Sequence, residues 1–177
     1  MVILNIGQLI TPTGTQARAG LAMRQLTVLH NVFIQTERGY ITQIGPMPKA
    51  PPEGETLDAQ GGVVIPGLVD PHTHAVFYGT REDEFLARCQ GEKYGKGILT
   101  SVERVRGASE DQIYEFSKEF LLSMMRVGTT TVEIKSGYGL STESELKLLR
   151  VIKRLKETMS IEIVPTFCGA HAVPAGI

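Results

Sequence analysis

The chain of 177 residues contains no tryptophan, two cysteines and almost no net charge. Cys89 and Cys168 lie far apart, which excludes a disulfide scaffold. The 18 basic and 19 acidic residues balance, so nothing favours binding to nucleic acid or to an anionic membrane. No apolar run reaches the roughly 20 residues of a membrane span, and the first residues do not resemble a signal peptide. We therefore expect a soluble, cytoplasmic protein.

The composition, with 42% hydrophobic and 21% charged residues, is typical of a globular protein. Residues 1–65 are predicted to form a small β-rich domain, because short β-branched segments alternate with turn residues. A hairpin turn is expected at Arg38–Gly39. The apolar segment 61–69 is read as one strand that leads into the polar residues that follow.

From residue 66 to residue 177, strand patterns alternate with helix patterns. A helix is predicted over 110–127, with Ser109 and Gln112 as its capping box. A second helix is predicted to begin with a capping box of Thr142 and Glu145. Alternation of this kind favours an α/β fold with parallel strands and right-handed helical crossovers.

The segment Asp70-Pro71-His72-Thr73-His74 is the most informative motif. Alternate side chains of a strand share a face, so His72 and His74 are expected to point the same way. Two imidazoles on one face can bind one metal ion, and a metal with an open position can activate water. The alternative is a pair of histidines with only local hydrogen bonds.

The two later strands also end in polar, glycine-rich sequence, which carries Tyr138 and His171. The carboxyl ends of parallel strands lie at one edge of a sheet, where ligands bind. These two side chains are therefore expected to meet the histidine pair in one pocket. Arg81, in the loop after the first strand, is suited to gripping a carboxylate.

Each of these residues also has a structural interpretation. Tyr138 could pack on the surface, and His171 could cap a helix or lie in the core. Arg81 could pair with Glu82 or Glu84. Lys135 invites comparison with the carboxylated lysines of two-metal hydrolases, although a salt bridge is the simpler expectation. Glu133 could be buried and functional or lie on the outer face, and the two cysteines are expected to be inert.

Three segments, HTHAVFYGTREDEF, TTTVEIKSGYGLS and PTFCGAHAVP, resemble the imidazolonepropionase family of the metal-dependent amidohydrolases. The resemblance implies the first three or so strands of a TIM-type (β/α) barrel, preceded by a small β-sandwich domain. It also implies metal-dependent hydrolysis of the ring C–N bond of 4-imidazolone-5-propanoate, giving N-formimidoyl-L-glutamate in histidine degradation.

The resemblance assigns one zinc or iron ion to His72 and His74, and substrate binding to Arg81, Tyr138 and His171. Further metal ligands and the proton-transfer residues belong to later strands of the family, so no catalytic residue is assigned within this chain. Lys96 departs from the family's usual run of glycines. Family members are often homodimers.

Family members are longer, so the resemblance covers their N-terminal portion, and we expect a fragment or one piece of a split enzyme. At this length a complete barrel of about 250 residues is excluded. Two alternatives stay open. One is another cyclic amidohydrolase or a deaminase, which would share the histidine pair. The other is a non-catalytic chain that lacks the remaining metal ligands.

Overall fold

The computed structural model describes residues 1–51, 54–92 and 95–173. The chain divides into two compact units, Met1–Pro66 and Gly67–Ile177. None of the helices in the described ranges is long and apolar enough to span a membrane.

The first unit is built on one five-stranded sheet. Its strands are β1 (Val2–Pro12), β2 (Leu26–Glu37), β3 (Tyr40–Pro46), β4 (Thr56–Asp58) and β5 (Val63–Val64). The order is β3-β2-β1-β4, with β5 also pairing with β1. β1 and β4 are parallel, whereas the β1–β2 and β2–β3 pairs are antiparallel. Short 3₁₀ turns occupy Gly20–Arg24 and Met47–Lys49.

The predicted hairpin turn is confirmed, because Glu37 pairs with Tyr40 across Arg38 and Gly39. Both turn residues have positive φ, at 50° and 82°, as a tight turn between twisted strands requires. One face of the sheet buries a small core of Ile6, Leu9, Val32 and Ile34. The described residues of this unit form one sheet, so the second layer of a sandwich stays a prediction.

The second unit holds a parallel three-stranded sheet with helices in the crossovers. Its strands are β6 (Leu68–Thr73), β7 (Thr129–Lys135) and β8 (Glu162–Thr166), in that order. The helices are α1 (Glu82–Cys89), α2 (Ile98–Gly107), α3 (Glu110–Arg126) and α4 (Thr142–Thr158). The predicted parallel arrangement is therefore present.

The core of this unit lies between the sheet and helices α3 and α4. Apolar side chains of one helix face recur at intervals of three and four residues, as an amphipathic helix requires. The fully buried side chains of this core, from both the helices and the strands, include Ile113, Leu121, Val132, Ile134, Leu148, Ile152, Leu155 and Ile163.

One prediction about the strands was wrong, and one helix was not predicted. Val63–Val64 pair with β1 in the first unit, and β6 begins only at Leu68. Pro66 has no N–H to donate to a ladder, so the apolar run is broken there into two strands. Helix α2 was not predicted, because its buried positions, Val102 and Val105, are too few to make a clear period.

The predicted capping box of α3 is confirmed, whereas the predicted box of Thr142 and Glu145 at α4 is wrong. Gln112 N–H donates to Ser109 Oγ at 3.2 Å, and Gln112 Oε1 accepts from Ser109 N–H at 2.9 Å. At α4 the cap is Ser141, whose Oγ accepts from Ser144 N–H. Glu145 does not close a box there, because its carboxylate is engaged by the preceding loop.

Replacing Ser109 with Ala is expected to lower the free energy of unfolding by about 1 kcal/mol, since it removes an N-cap. Urea denaturation measures the loss. Ser123→Ala, at an exposed position of the same helix, is the control and should change stability by less than about 0.5 kcal/mol. Equal effects of the two substitutions would show that the cap contributes nothing.

Candidate active site

Three aromatic side chains meet beyond the carboxyl edge of the parallel sheet. His74 follows β6, Tyr138 follows β7 and His171 follows β8. The imidazoles of His74 and His171 are stacked, with centroids 4.2 Å apart and planes 5° apart. The Tyr138 ring lies 5.0 Å from His74 and 5.5 Å from His171. The structure thus brings together three residues that the sequence placed at one edge, although their functional roles stay predictions.

His74 is half-buried, as are Tyr138 and His171. Its Nδ1 is buried and has no hydrogen-bond partner among the described residues. Burial lowers the pKa of His74, and the nearby His171 and His72 lower it further. A backbone hydrogen bond with Ser136 acts in the opposite direction, but the net lowering of the pKa favours the neutral imidazole, which is the form that binds a metal ion.

Tyr138 keeps its proton in this environment. Burial raises the pKa of the Tyr138 phenol, while the charge of Arg81 acts in the opposite direction. The hydroxyl can therefore donate a hydrogen bond to a ligand in the pocket.

Arg81 lies at the start of α1 and lines a cleft of about 630 Å³ together with His74 and Tyr138. Phe77 and Phe120 form its apolar wall. Arg81 makes no ion pair with Glu82 or Glu84 in the described ranges. Glu84 instead accepts hydrogen bonds from Thr100 Oγ1 at 2.5 Å and from Gly97 N–H at 3.2 Å. The guanidinium therefore stays available to an anionic ligand.

His72 differs from its partner in exposure, because it is exposed and lies outside the cleft lining. The β6–β7 ladder is irregular here: Asp70 pairs with Val132, whereas Thr73 pairs with Ile134. This irregularity interrupts the strand alternation on which the prediction of a shared face rested. His72 is still close enough to influence the pKa of His74. Binding of both imidazoles to one ion stays a prediction.

Thr73, between the two histidines, is tied to the neighbouring strand. Its Oγ1 donates to Glu133 O at 2.6 Å and accepts from Ala75 N–H at 3.3 Å. The two histidines therefore flank a residue whose backbone and side chain are both held in place.

The donor set fits part of a metal site. Two imidazoles, one with an unpartnered buried nitrogen, are suited to zinc or iron. In the described ranges no group of three or more His, Cys, Asp or Glu side chains could hold a metal ion. His72 and His74 would thus supply two ligands, and stronger binding needs others.

Lys135 forms the predicted salt bridge, with Glu133 on the same strand. Both side chains are largely buried, at 18% and 14% exposure. Burial alone would raise the pKa of Glu133, but hydrogen bonds from Lys135 and Thr166 lower it. The two cysteines are free.

The Tyr138 loop is tied directly to the His171 segment. Ser136 Oγ accepts from Cys168 N–H at 3.1 Å, and His171 Nδ1 lies 3.1 Å from Gly137 O. At Gly137, φ is 124° and an added Cβ would lie 2.9 Å from His171 Cβ. Only glycine allows the two loops to approach this closely.

Sequence reasoning assigned Glu145 only to a helix cap and missed Arg106, whereas both side chains bond to the loop that follows Tyr138. Glu145 lies one turn before Leu148 on the apolar face of α4, and only 4% of it is exposed. A carboxylate at a predicted core position was the signal that could have found it. Arg106, in the unpredicted helix α2, carried no such signal.

Gly137→Ala is expected to lower the free energy of unfolding by about 2–4 kcal/mol, because positive φ and a collision with His171 act together. Urea denaturation measures the loss. The matched control is Gly91→Ala, since Gly91 has φ of 85° but open space around it. The control should cost only about 1 kcal/mol. Equal losses would contradict the close approach of the two loops.

Comparison with solved structures shows which known proteins share this fold. Escherichia coli guanine deaminase superposes with a TM-score of 0.59 at 17% identity, covering 93% of this chain and 36% of its own. A 5-methylcytosine deaminase from Klebsiella pneumoniae gives a TM-score of 0.57 at 18% identity, covering 94% and 35%. The chain therefore shares the fold of the corresponding part of these two enzymes.

Comparison with curated sequences identifies the family of this chain, although no family model matches it. Imidazolonepropionase of Thermoanaerobacter pseudethanolicus is 42% identical over 180 residues, which cover 98% of this chain and 43% of that protein. The Syntrophobacter fumaroxidans imidazolonepropionase is 52% identical over 126 residues, covering 68% and 30%. The chain belongs to the imidazolonepropionase family, and it spans less than half the length of these relatives.

Proposed function

We propose that the chain contributes the substrate-binding part of an imidazolonepropionase. One observation carries the proposal: relatives with that name are 42% identical across 98% of the chain, a span that includes the segments forming the cleft. The reaction adds water across the ring C–N bond of 4-imidazolone-5-propanoate and yields N-formimidoyl-L-glutamate.

The cleft chemistry suits a planar, anionic substrate. The guanidinium of Arg81 can grip the propionate with two parallel hydrogen bonds. The protonated Tyr138 hydroxyl can donate to an oxygen or nitrogen of the ring. His171, stacked on His74 and close to the Tyr138 ring, can orient the ring and exclude water.

We assign His72 and His74 as the protein's imidazole ligands for one zinc or iron ion. Such an ion supplies Lewis acidity and lowers the pKa of water. Among proteins of similar fold, an atrazine chlorohydrolase variant from Arthrobacter aurescens is described as complexed with zinc. That likeness supports the fold, while the donor chemistry supports the metal.

We further propose that β6, β7 and β8 are the first strands of a TIM-type barrel, in the segment 66–177, and that residues 1–65 belong to a small β-sandwich. The parallel order and the polar carboxyl edge of the sheet support the barrel. A homodimer is the expected assembly.

The test of function is turnover with defined metal content. The chain is combined with the later strands that the family resemblance implies, which carry the other metal ligands and the proton-transfer residues, and the enzyme is loaded with zinc or iron. This enzyme should hydrolyse 4-imidazolone-5-propanoate and should release no ammonia from guanine or 5-methylcytosine. Removing the metal with a chelator should abolish turnover, and zinc or iron should restore it. His74→Ala should lose bound metal, measured by elemental analysis. Turnover of a purine without the imidazolone would replace the proposal with a deaminase.

Arg81→Ala is expected to raise KM for the propionate-bearing substrate about 10- to 100-fold with a smaller change in kcat, because a charge-assisted hydrogen bond is worth about 1.5–3 kcal/mol. Steady-state kinetics measures both constants. With 4-imidazolone, which lacks the propionate, wild type and variant should behave alike. An equal effect on both substrates would contradict a grip on the carboxylate.

A further inference from the structure

We infer that Glu145 and Arg106 are positioning residues that together hold Tyr138 against the two imidazoles. The placement of Tyr138 is independent of any substrate, whereas its kinetic consequence rests on the function proposed above. We call the pair Glu145 and Arg106 the loop clamp.

The clamp binds the backbone of the two residues that follow Tyr138. Glu145 Oε1 accepts from Gly139 N–H at 2.8 Å and from Leu140 N–H at 2.9 Å. On the other side, Arg106 Nε donates to Gly139 O at 2.8 Å, and its Nη2 donates to Leu140 O at 3.0 Å. The N–H groups of both residues thus donate to the carboxylate of Glu145, and their carbonyl groups accept from the guanidinium of Arg106.

The backbone held by the clamp would not adopt this path unaided. Leu140 has φ of 50°, which is unfavourable for a side chain of its size. At Gly139 an added Cβ would lie 2.6 Å from Glu145 N, so the loop passes directly over the first turn of α4. Tyr138 is the last residue before this held segment, so its direction depends on where the segment lies.

An N-cap role does not explain the buried carboxylate of Glu145. Ser141 already caps α4, and Glu145 lies inside the first turn with its Oε2 buried and without a partner among the described residues. An unpartnered buried carboxylate oxygen destabilises the fold. The two hydrogen bonds that Glu145 Oε1 accepts from the loop backbone compensate for that loss of stability.

The second half of the clamp has a rigid support. Lys147 Nζ donates to Val105 O at 2.7 Å and to Ala108 O at 2.8 Å, which fastens the end of α2 to α4. Arg106 is therefore fixed relative to Glu145, and the two charged groups are held on opposite sides of the loop backbone.

The structural test observes Tyr138 directly by fluorine NMR of the full chain labelled with 3-fluorotyrosine. The chain has five tyrosines, so the Tyr138 signal is assigned by its loss in Tyr138→Phe. Glu145→Ala should move this signal toward that of an exposed tyrosine, and Glu145→Gln, which keeps an accepting oxygen, should retain most of the wild-type shift. Leu155→Ala, which removes a buried side chain from the same helix, is the stability control and should leave the signal in place.

Arg106→Met tests the other half at an exposed position and is used if Glu145→Ala does not fold. It should move the Tyr138 signal in the same direction. The clamp is overturned if the Tyr138 signal does not move in Glu145→Ala. The same holds for Arg106→Met when that variant replaces Glu145→Ala. An equal movement in Leu155→Ala also overturns the clamp, since general loosening of α4 would then explain the effect.

The kinetic test uses the same combined, metal-loaded enzyme as the test of function above, together with a double-mutant cycle. Glu145→Ala should raise KM for the imidazolone about tenfold, as expected for one lost hydrogen bond, and Tyr138→Phe should do the same. The double variant should lose no more than either single variant. Additive losses overturn the clamp, whereas absence of turnover in the wild type defeats the proposed function and leaves the NMR result to decide the clamp.

Discussion

Parallel pairing of three short strands is the constraint on which the site depends. Because β6, β7 and β8 run in one direction, the segments that follow them emerge at one edge, and residues about 60 and 30 positions apart in sequence become neighbours. The stack of His74 on His171, with Tyr138 beside both, is the direct result. The helices α3 and α4 make this pairing possible by covering the apolar face that the strands would otherwise expose.

Much of this arrangement could be predicted because its signals are local. The capping box at Ser109, the turn at Arg38–Gly39 and the β-branched run of β7 each depend on a few adjacent residues. The meeting of Tyr138 and His171 with His74 followed from a general rule about parallel sheets, applied to polar residues at strand ends. This rule predicts only that the three residues lie at one edge of the sheet, whereas the structure gives the distances between their rings.

The remaining features depend on interactions that a linear pattern does not contain. The apolar run ending at Val69 was read as one strand, but Pro66 divides it between two units. Glu145 was assigned to a helix cap because of its spacing from Thr142, whereas it bonds to a loop that reaches it from before the helix. His72 is exposed where the β6–β7 ladder is irregular, and this irregularity depends on the partner strand as well as on the sequence of β6.

The hydroxyl of Thr73 has a consequence for the spacing of the His-x-His pair. The middle residue of such a motif is often regarded as a spacer, yet here it is fastened to β7 through the carbonyl of Glu133. The separation of the two imidazoles is thus set partly by the adjacent strand. To change the distance between the two imidazoles, the residue to substitute first is Thr73. Ser would keep the hydroxyl, whereas Val would keep the shape of the side chain.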